Sequence, residues 1–593
     1  MLKAKNVIPK QRLIVFTIVV VISFITLIGR FFQIQVYQHN TYQTKAEANR
    51  IKAVMRNAPR GLIIDRNGKI LVDNYPTYVL SCIPIEIEDK DALIKLISKL
   101  TGLDSLFLRQ NYSKYYRNRF SPTRLAKDLS FQHISVLEEH KSELHGIQIT
   151  QFPERYYPTQ ISGTHFLGYV NEVNQNIRGK ISDKKQYELG DLIGWHGLEK
   201  EYESELRGDK GVKYIEVDAF GREVGNVDEY KDIPPNPGNN LKLTIDAKLQ
   251  LLLEGLMSTY QGVAIVSNPK NGDILSYVSS PSHAPDLFTG SVSSETWSNI
   301  LNNPGRPLVD RVSSGLYPPG STLKMITALS LLDKKLIDPK WATTCTGSYF
   351  YGDRTFRCWN ENGHGEVDLR KAIAQSCNVY FYKVVQRLTL TEWSETCKQF
   401  GFGKKTGIDL PMEKTGVIPT SDYMNARYGR WGWSKGVMLN VAIGQGDVLV
   451  TPLQMLHYIN QIATHGNANL LHLVHKKPEE PSRRPVFSSK TWKRIERYLT
   501  AVVYDNKGTG KAANPNIKNV IISGKTGTAE NPHGEPHAWF VGYGKKENDI
   551  VSVAILIENG GHGGETAAPI AREAFRSHFN NSALNIETSN SDY

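Results

Sequence analysis

The longest apolar stretch in the chain comes first. LIVFTIVVVISFITLIG, from Leu13 to Gly29, holds no charged residue. At 1.5 Å per residue such a run spans a thin hydrocarbon core with help from its flanks, and it predicts a single transmembrane anchor over 13–35. Lys3, Lys5, Lys10 and Arg12 precede it, and Arg30 and the amphipathic RFFQIQVYQ follow. The positive-inside rule then predicts a cytoplasmic tail over 1–12 and an extracytoplasmic remainder. A cleaved signal peptide is the alternative. No small-x-small cleavage site directly follows the apolar run, which favours an uncleaved anchor. No second run of this length appears, so the chain is expected to cross the membrane once.

Beyond the anchor the apolar positions fall into short periodic stretches. PRGLIIDRNGKILVDN (59–74) predicts strand, turn, strand. DALIKLISKLTG (91–102) and GLEKEYESELRG (197–208) have helical spacing and end on glycine. Residues 36–235 are therefore expected to form an extended mixed pedestal, and DIPPNPGNN (232–240) reads as a rigid boundary. From 240 to 580 the pattern is denser. LKLTI is a strand, DAKLQLLLEGLM a helix capped by its aspartate, and GVAIVSNPKNGDILSYVSS two strands around a turn. Helical patterns follow at Ser321 to about 337, Leu369 to 388 and Pro452 to 464. VIISGKTGTA, AWFVGYG and DIVSVAILIEN return to strands. Strands at both ends with helices between predict an α+β domain, an antiparallel sheet covered by helices. Residues 581–593 are polar and read as a disordered tail.

Length and charge narrow this picture. At 593 residues the chain exceeds one compact core. The net charge of +12 is dispersed rather than blocked, and no nucleic-acid motif is present, so a basic surface facing lipid headgroups or an anionic wall polymer is the better reading.

Three motifs carry candidate chemistry, and each recurs or is weak alone. Ser-x-x-Lys occurs at Ser182/Lys185, in a polar stretch, and at Ser321/Lys324, in YPPGSTLKMITALSLL. At the second site two prolines and Gly320 set a turn, Ser321 opens an apolar helix, and Lys324 lies three residues on, on the same face. Apolar neighbours would desolvate that lysine and let it act as a base; the bland alternative is an N-cap serine with a snorkelling lysine. Ser-x-Asn occurs at Ser376-Cys377-Asn378, where a second hydroxyl would relay a proton and the amide would position the lysine. Lys-Thr-Gly occurs at 405–407, 414–416 and 525–527. Only the last continues an apolar strand, and it leads into Thr528. There Lys525 and Gly527 are expected to share one face, with the glycine leaving room for a substrate backbone. The cation and hydroxyls of Lys525, Thr526 and Thr528 suit a substrate carboxylate, and the N–H groups of Thr528 and Ser321 an oxyanion.

In this order the three motifs are the signature set of penicillin-binding proteins and serine β-lactamases. The middle motif reads Ser-Cys-Asn here. The likeness covers nearly the whole chain, which resembles a class B penicillin-binding protein. PRGLIIDRNGKIL and GLEKEYESELRG resemble pedestal segments of that family. YPPGSTLK, AIGQGDVLVTPLQM (442–455), SGKTGTAE and HAWFVGY (537–543) resemble its transpeptidase domain. NENGHGEVDL resembles the elongation-type branch more than the division-type one. The resemblance implies a D,D-transpeptidase in the cytoplasmic membrane. It would take a stem peptide ending in D-Ala-D-Ala onto Ser321, pass the acyl group to a neighbouring amine, and be acylated by β-lactams. Ser321, Lys324, Ser376, Asn378 and Lys525 would be catalytic, and Thr526, Gly527 and Thr528 would bind substrate. No cofactor is required for such chemistry. Residues 36–235 lack the helical, Glu-bearing pattern of a glycosyltransferase. The resemblance therefore implies a separate polytopic membrane glycosyltransferase and an elongation scaffold protein as partners.

Five cysteines lie after the anchor, an odd number that cannot pair completely. Cys345, Cys358, His364 and Cys377 fall within 33 residues and have the ligand types of a structural zinc site, at spacings that fit no standard zinc finger. A Cys345–Cys358 disulfide and free buried thiols are the alternatives. Zinc there would fix Ser376 and Asn378.

Other functions fit less well. A secreted β-lactamase needs neither anchor nor pedestal, and a penicillin sensor needs a larger cytoplasmic part than residues 1–12. A D,D-carboxypeptidase, which uses water as acceptor, stays open. The intact motif residues argue against a non-catalytic scaffold that only activates a glycan polymerase.

Overall fold

The computed structural model describes residues 10–42, 50–181, 187–217, 223–226, 230–288, 292, 294–481 and 484–589. The Ser182/Lys185 pair, most of the expected cytoplasmic tail and residues 590–593 lie outside this set.

A helix from Lys10 to Phe32 continues as a π turn over Gln33–Tyr37. It is the one helix among the described residues long and apolar enough to cross a membrane, and its apolar side chains are exposed. Thr17, Ser23 and Thr26 each donate to the carbonyl four residues back at 2.8 Å, so none presents a free hydroxyl to a lipid phase.

Two compact units follow from the contact pattern. The smaller comprises 1–59, 76–153 and 208–237. Its core packs Leu80, Ile94, Ile97, Leu108, Leu125 and Leu137. The helix predicted at 91–102 runs Lys90–Thr101, with Asp89 accepting from two backbone N–H groups and Gly102 closing it in the left-handed region.

The larger unit comprises 60–75, 154–207 and 238–593. The Asp-Arg-Asn-Gly turn forms as predicted: Asp65 accepts from the N–H groups of Asn67 and Lys69 at 2.8 and 2.7 Å, and Ile63 pairs with Val72 across it. The segment at 197–208 divides into two short helices, Gly197–Glu201 and Glu203–Leu206. The division lets Glu199 and Glu203 converge on Arg60. Glu199 accepts from Arg60 at 2.6 Å and from Arg155 at 2.7 Å, and all three are buried. The two guanidinium groups hold the Glu199 carboxyl below its ordinary pKa against the opposing effect of burial.

The centre of this unit is a five-stranded antiparallel sheet of β1 (Gly262–Ser267), β2 (Ile274–Ser280), β3 (Ile521–Ala529), β4 (His537–Lys546) and β5 (Asp549–Ile557), in the order β2-β1-β5-β4-β3. Alternate residues point to opposite faces. Val263, Ile265, Trp539, Val541 and Leu556 pack with the helices Lys324–Asp333, Pro452–Ala463 and Ser489–Tyr504. Ala264, Val266, Phe540, Val553 and Ile555 pack with the helices Ala247–Met257 and Ala567–Ser589. Helices thus cover both faces, which is why the strands are apolar throughout. LKLTI forms only a two-residue strand, Leu241–Lys242; beyond it Thr244 joins Leu473 and Ile274 through single bonds.

Candidate active site

The motif residues meet at the edge strand β3. Ser321 does not open the α-helix directly: it sits in a 3-10 turn over Gly320–Leu323, and the α-helix begins at Lys324. Gly320 has φ +58°, and a Cβ there would meet the Thr528 carbonyl oxygen at 2.9 Å. The turn is fixed from several sides. Gly320 N–H donates to Gly444 at 2.9 Å, Trp539 Nε1 to Pro318 at 3.1 Å, and Thr322 Oγ1 to Pro319 at 2.6 Å. Ser321 is half-buried and lines a cleft of about 540 Å³ together with Ser376, Asn378, Thr526 and Thr528.

Lys324 stands just behind, fully buried. Its Nζ donates to Ser376 O at 2.8 Å and to Asn378 Oδ1 at 2.7 Å, and meets Ser376 Oγ at 3.3 Å. Burial lowers its pKa to about 8, while the sulfurs of Cys358 and Cys377 oppose that shift. A neutral amine has two N–H groups and one lone pair. Two acceptor-only oxygens take the N–H groups, and the remaining direction faces a hydroxyl, as a proton acceptor requires.

The continuous helical pattern at 369–388 is broken where the second motif sits. One helix ends at Ala374 and the next starts at Asn378. Between them Ser376 adopts φ +57°, with Cys377 N–H donating to Ala372 O at 2.9 Å and Ser376 N–H to Ile373 O at 3.3 Å. This is a Schellman closure, with serine where glycine is usual. It turns the serine carbonyl and hydroxyl together toward Lys324.

On β3 the faces differ from the sequence expectation. Thr526 and Thr528 face the cleft, whereas Lys525 is fully buried and donates to Thr526 O at 2.9 Å. Burial, then the nearby Lys324 charge, pushes the Lys525 amine well below its ordinary pKa. At Gly527 a Cβ would meet Thr322 Cγ2 at 2.9 Å and Pro319 O at 3.1 Å, so its open face is turned to the Ser321 turn. Its missing side chain admits that turn. The other Lys-Thr-Gly copies are loop turns away from the cleft; the N–H groups of Thr406 and Gly407 donate to Glu413.

Sequence reasoning missed Thr509. Its Oγ1 lies 2.7 Å from Thr526 Oγ1 and its N–H donates to Ala374 O at 3.2 Å, tying β3 to the Ser376 turn. Gln445, Arg357, Trp359 and His562 also line the cleft. GTG at 508–510, between a helix and the motif strand, was the one available signal.

All five cysteines are free thiols, so the Cys345–Cys358 disulfide is absent. Cys345, Cys358, His364 and Cys377 bring their ligand atoms within 4.8 Å of one another. His364 Nδ1 is 3.6 Å from both Cys345 Sγ and Cys358 Sγ. Zinc–sulfur and zinc–nitrogen bonds of about 2.3 and 2.0 Å give tetrahedral S–N edges of about 3.5 Å, so the set fits that ion. Cross-strand pairing of Cys345 with Gly365 brings His364 to the first cysteine, and Asn378 N–H donates to Cys358 Sγ at 3.4 Å. Hydrogen bonds from Cys377 and then His364 hold the Cys358 thiol far below its usual range.

Comparison with known proteins agrees with this geometry. A family model for the penicillin binding protein transpeptidase domain matches residues 262–576, and one for the penicillin-binding protein dimerisation domain matches 55–243. The chain belongs to the penicillin-binding protein family. A Haemophilus influenzae relative named peptidoglycan D,D-transpeptidase MrdA is 31% identical, over 99% of this chain and 94% of its own. Among solved structures, a complex of penicillin-binding protein (PBP2) with MreC from Helicobacter pylori matches with TM-score 0.78 and 28% identity, over 89% of this chain and 100% of that one. A peptidoglycan synthase complex described as coordinating polymerization and crosslinking matches with TM-score 0.69 and 28% identity, over 95% and 97%. The penicillin-binding protein fold thus extends over both units, and the motif cleft lies within the transpeptidase match.

Proposed function

We propose that this chain is the peptidoglycan D,D-transpeptidase of cell-wall elongation, acting through an acyl-enzyme on Ser321. Ser321 Oγ attacks the penultimate D-Ala carbonyl of a stem peptide. Its proton passes to Lys324, with the Ser376 hydroxyl as relay, and then to the departing D-Ala amine. The N–H groups of Ser321 and Thr528 receive the oxyanion, and Thr526 and Thr528 receive the terminal carboxylate. An amine of a second stem then attacks the ester, and Ser321 regains its proton. The observation that carries this reading is the buried Lys324 amine, with two N–H groups engaged and its third direction facing the Ser376 hydroxyl, in the cleft that Ser321 also lines. Lys525, buried beside the cleft, holds the Thr526 carbonyl and so fixes the strand that carries Thr526 and Thr528.

The Cys345, Cys358, His364 and Cys377 set is read as a structural zinc site that pins the turn carrying Ser376 and Asn378; the ion would serve as a cross-link. Metal analysis of purified protein should find one zinc per chain. Less than a tenth of that, after purification without chelators, refutes the metal.

The apolar helix is read as a single inner-membrane anchor with the N-terminus inside. By similarity to the complexes named above, a scaffold of the MreC kind and a membrane glycan polymerase are its partners.

Labelling with a fluorescent penicillin tests the assignment. The unaltered chain should label and Ser321→Ala should not; equal labelling of the variant overturns the nucleophile. Incubation with pentapeptide substrates, with and without an acceptor stem, should yield cross-linked dimers. D-Ala release without dimers would identify a carboxypeptidase instead.

A further inference from the structure

The cleft holds a second reactive group besides its serine. Cys358 lines the cleft wall, whereas Cys345 and Cys377 do not. Its sulfur accepts from Asn378 N–H at 3.4 Å and lies within 4.8 Å of the Cys377 sulfur. Cys377 is the middle residue of the catalytic Ser-Cys-Asn triplet, and the oxygens on either side of it hold Lys324. A small solute entering the cleft therefore reaches one thiol, and a neighbouring sulfur of that thiol, Cys377, sits in the catalytic turn.

We infer that Cys358 and Cys377 form an oxidant-sensitive modification site: two-electron oxidants such as hydrogen peroxide join them as a disulfide and shut the acylation site. In the first step the Cys358 thiolate attacks one peroxide oxygen. An S–O bond forms, the O–O bond breaks and hydroxide leaves, giving a sulfenic acid. The Cys377 thiol sulfur then attacks Cys358 sulfur. The S–S bond forms, the S–O bond breaks, and the departing hydroxide takes the Cys377 proton and leaves as water. The two sulfurs lose two electrons and the peroxide gains them. A disulfide needs its sulfurs about 2.05 Å apart. The two ligand atoms lie within 4.8 Å here, so closure draws the turn and the hairpin together. Asn378 N–H then loses its sulfur acceptor, and the Ser376 and Asn378 oxygens shift away from Lys324 Nζ. The same bond removes two of the four proposed zinc ligands. Cys345, which does not line the cleft, is left as a free thiol.

The functional consequence rests on the transpeptidase reading, but the bond itself does not. The full-length protein is treated with stoichiometric hydrogen peroxide, alkylated, digested and mapped by mass spectrometry. Zinc release to a chromogenic chelator and fluorescent penicillin labelling are followed on the same sample. A Cys358–Cys377 linked peptide is expected, with labelling reduced at least tenfold in step with it and restored by dithiothreitol plus zinc. Linkage through Cys345, loss of labelling without any linked peptide, or full labelling of the linked protein would each overturn the inference. An untreated chain that fails to label speaks against the transpeptidase reading alone, since the peptide map still reports on the pair.

Discussion

Replacing Asn378 by aspartate changes one atom's chemistry at the most sensitive point of the cleft. Asn378 Oδ1 accepts from Lys324 Nζ at 2.7 Å. A carboxylate there keeps the shape and places a full negative charge beside a fully buried amine. An opposite charge at such range raises an amine pKa by about 1–3 units. Lys324 starts at about 8, so its new value falls at about 9–11. At pH 7 the neutral fraction then drops from about one in ten to between about one in a hundred and one in ten thousand. If the neutral amine is the base, acylation at pH 7 falls about 10- to 1000-fold in Asn378→Asp. The sign gives a second signature. Only the deprotonated amine is active, so wild-type acylation rises with pH through about 8, and the variant rises through a point 1–3 units higher, recovering activity in alkaline buffer. The assay is the second-order rate of fluorescent penicillin acylation between pH 6 and 10. A variant with the wild-type inflection and only a lower plateau would refute the reasoning, because Asn378 would then position substrate without setting the lysine's charge.

Three further outcomes follow from the same geometry. Thr509→Val removes the 2.7 Å partner of Thr526 and should slow acylation by a carboxylate-bearing penicillin about tenfold, with little effect on its methyl ester and with partial rescue in Thr509→Ser; equal effects on acid and ester would place Thr509 outside carboxylate binding. Glu199→Ala strands Arg155 in the interior and leaves Arg60 with Glu203 alone, and should cost about 3–5 kcal/mol in denaturant or thermal unfolding of the larger unit, whereas an unchanged midpoint would mean that water solvates Arg155. Ser376→Gly relieves a non-glycine residue at φ +57° and should raise the unfolding midpoint by the equivalent of about 1 kcal/mol while lowering acylation about 100-fold or more; a variant both stable and active would dismiss the hydroxyl as relay.

Where burial is two-sided and local, the sequence was a sufficient guide. The strands at 262–280 and 521–557 carry apolar residues on both faces because helices cover both, and their turns are marked by Asn-Gly or by charged, polar residues. Helix Ala247–Met257 begins at its aspartate cap as read, with the Asp246 carboxylate accepting from two N–H groups. The order of the motifs along the chain picked Ser321 and Lys525 out of repeated copies. What remained hidden was the direction in which residues of one element point. Strand period places Lys525 and Gly527 together but does not say which face meets water. The Ser321 turn fills the space at Gly527, so Thr526 and Thr528 became the cleft residues. Thr509 was invisible for a related reason: its partner lies 17 positions on, and a Gly-Thr-Gly loop reads as a turn until the strand it touches is known.

The second motif shows why local pattern and function part company at the same place. Residues 369–388 have an unbroken helical rhythm, and continuing the helix would leave Ser376 and Asn378 on its surface as ordinary polar positions. The Schellman closure ends the first helix with a serine in the left-handed region, a placement that costs about 1 kcal/mol relative to glycine. It gains a carbonyl, a hydroxyl and an amide oxygen converging on one buried amine. Neighbouring structure must hold that strain. Cys377, between the two, turns its sulfur away from the cleft to join Cys345, Cys358 and His364, while Asn378 N–H closes onto Cys358. The cluster therefore sits where the helix break needs support. That is the physical reason to connect a cysteine-rich hairpin, which shares no motif with the catalytic set, to the protonation of Lys324.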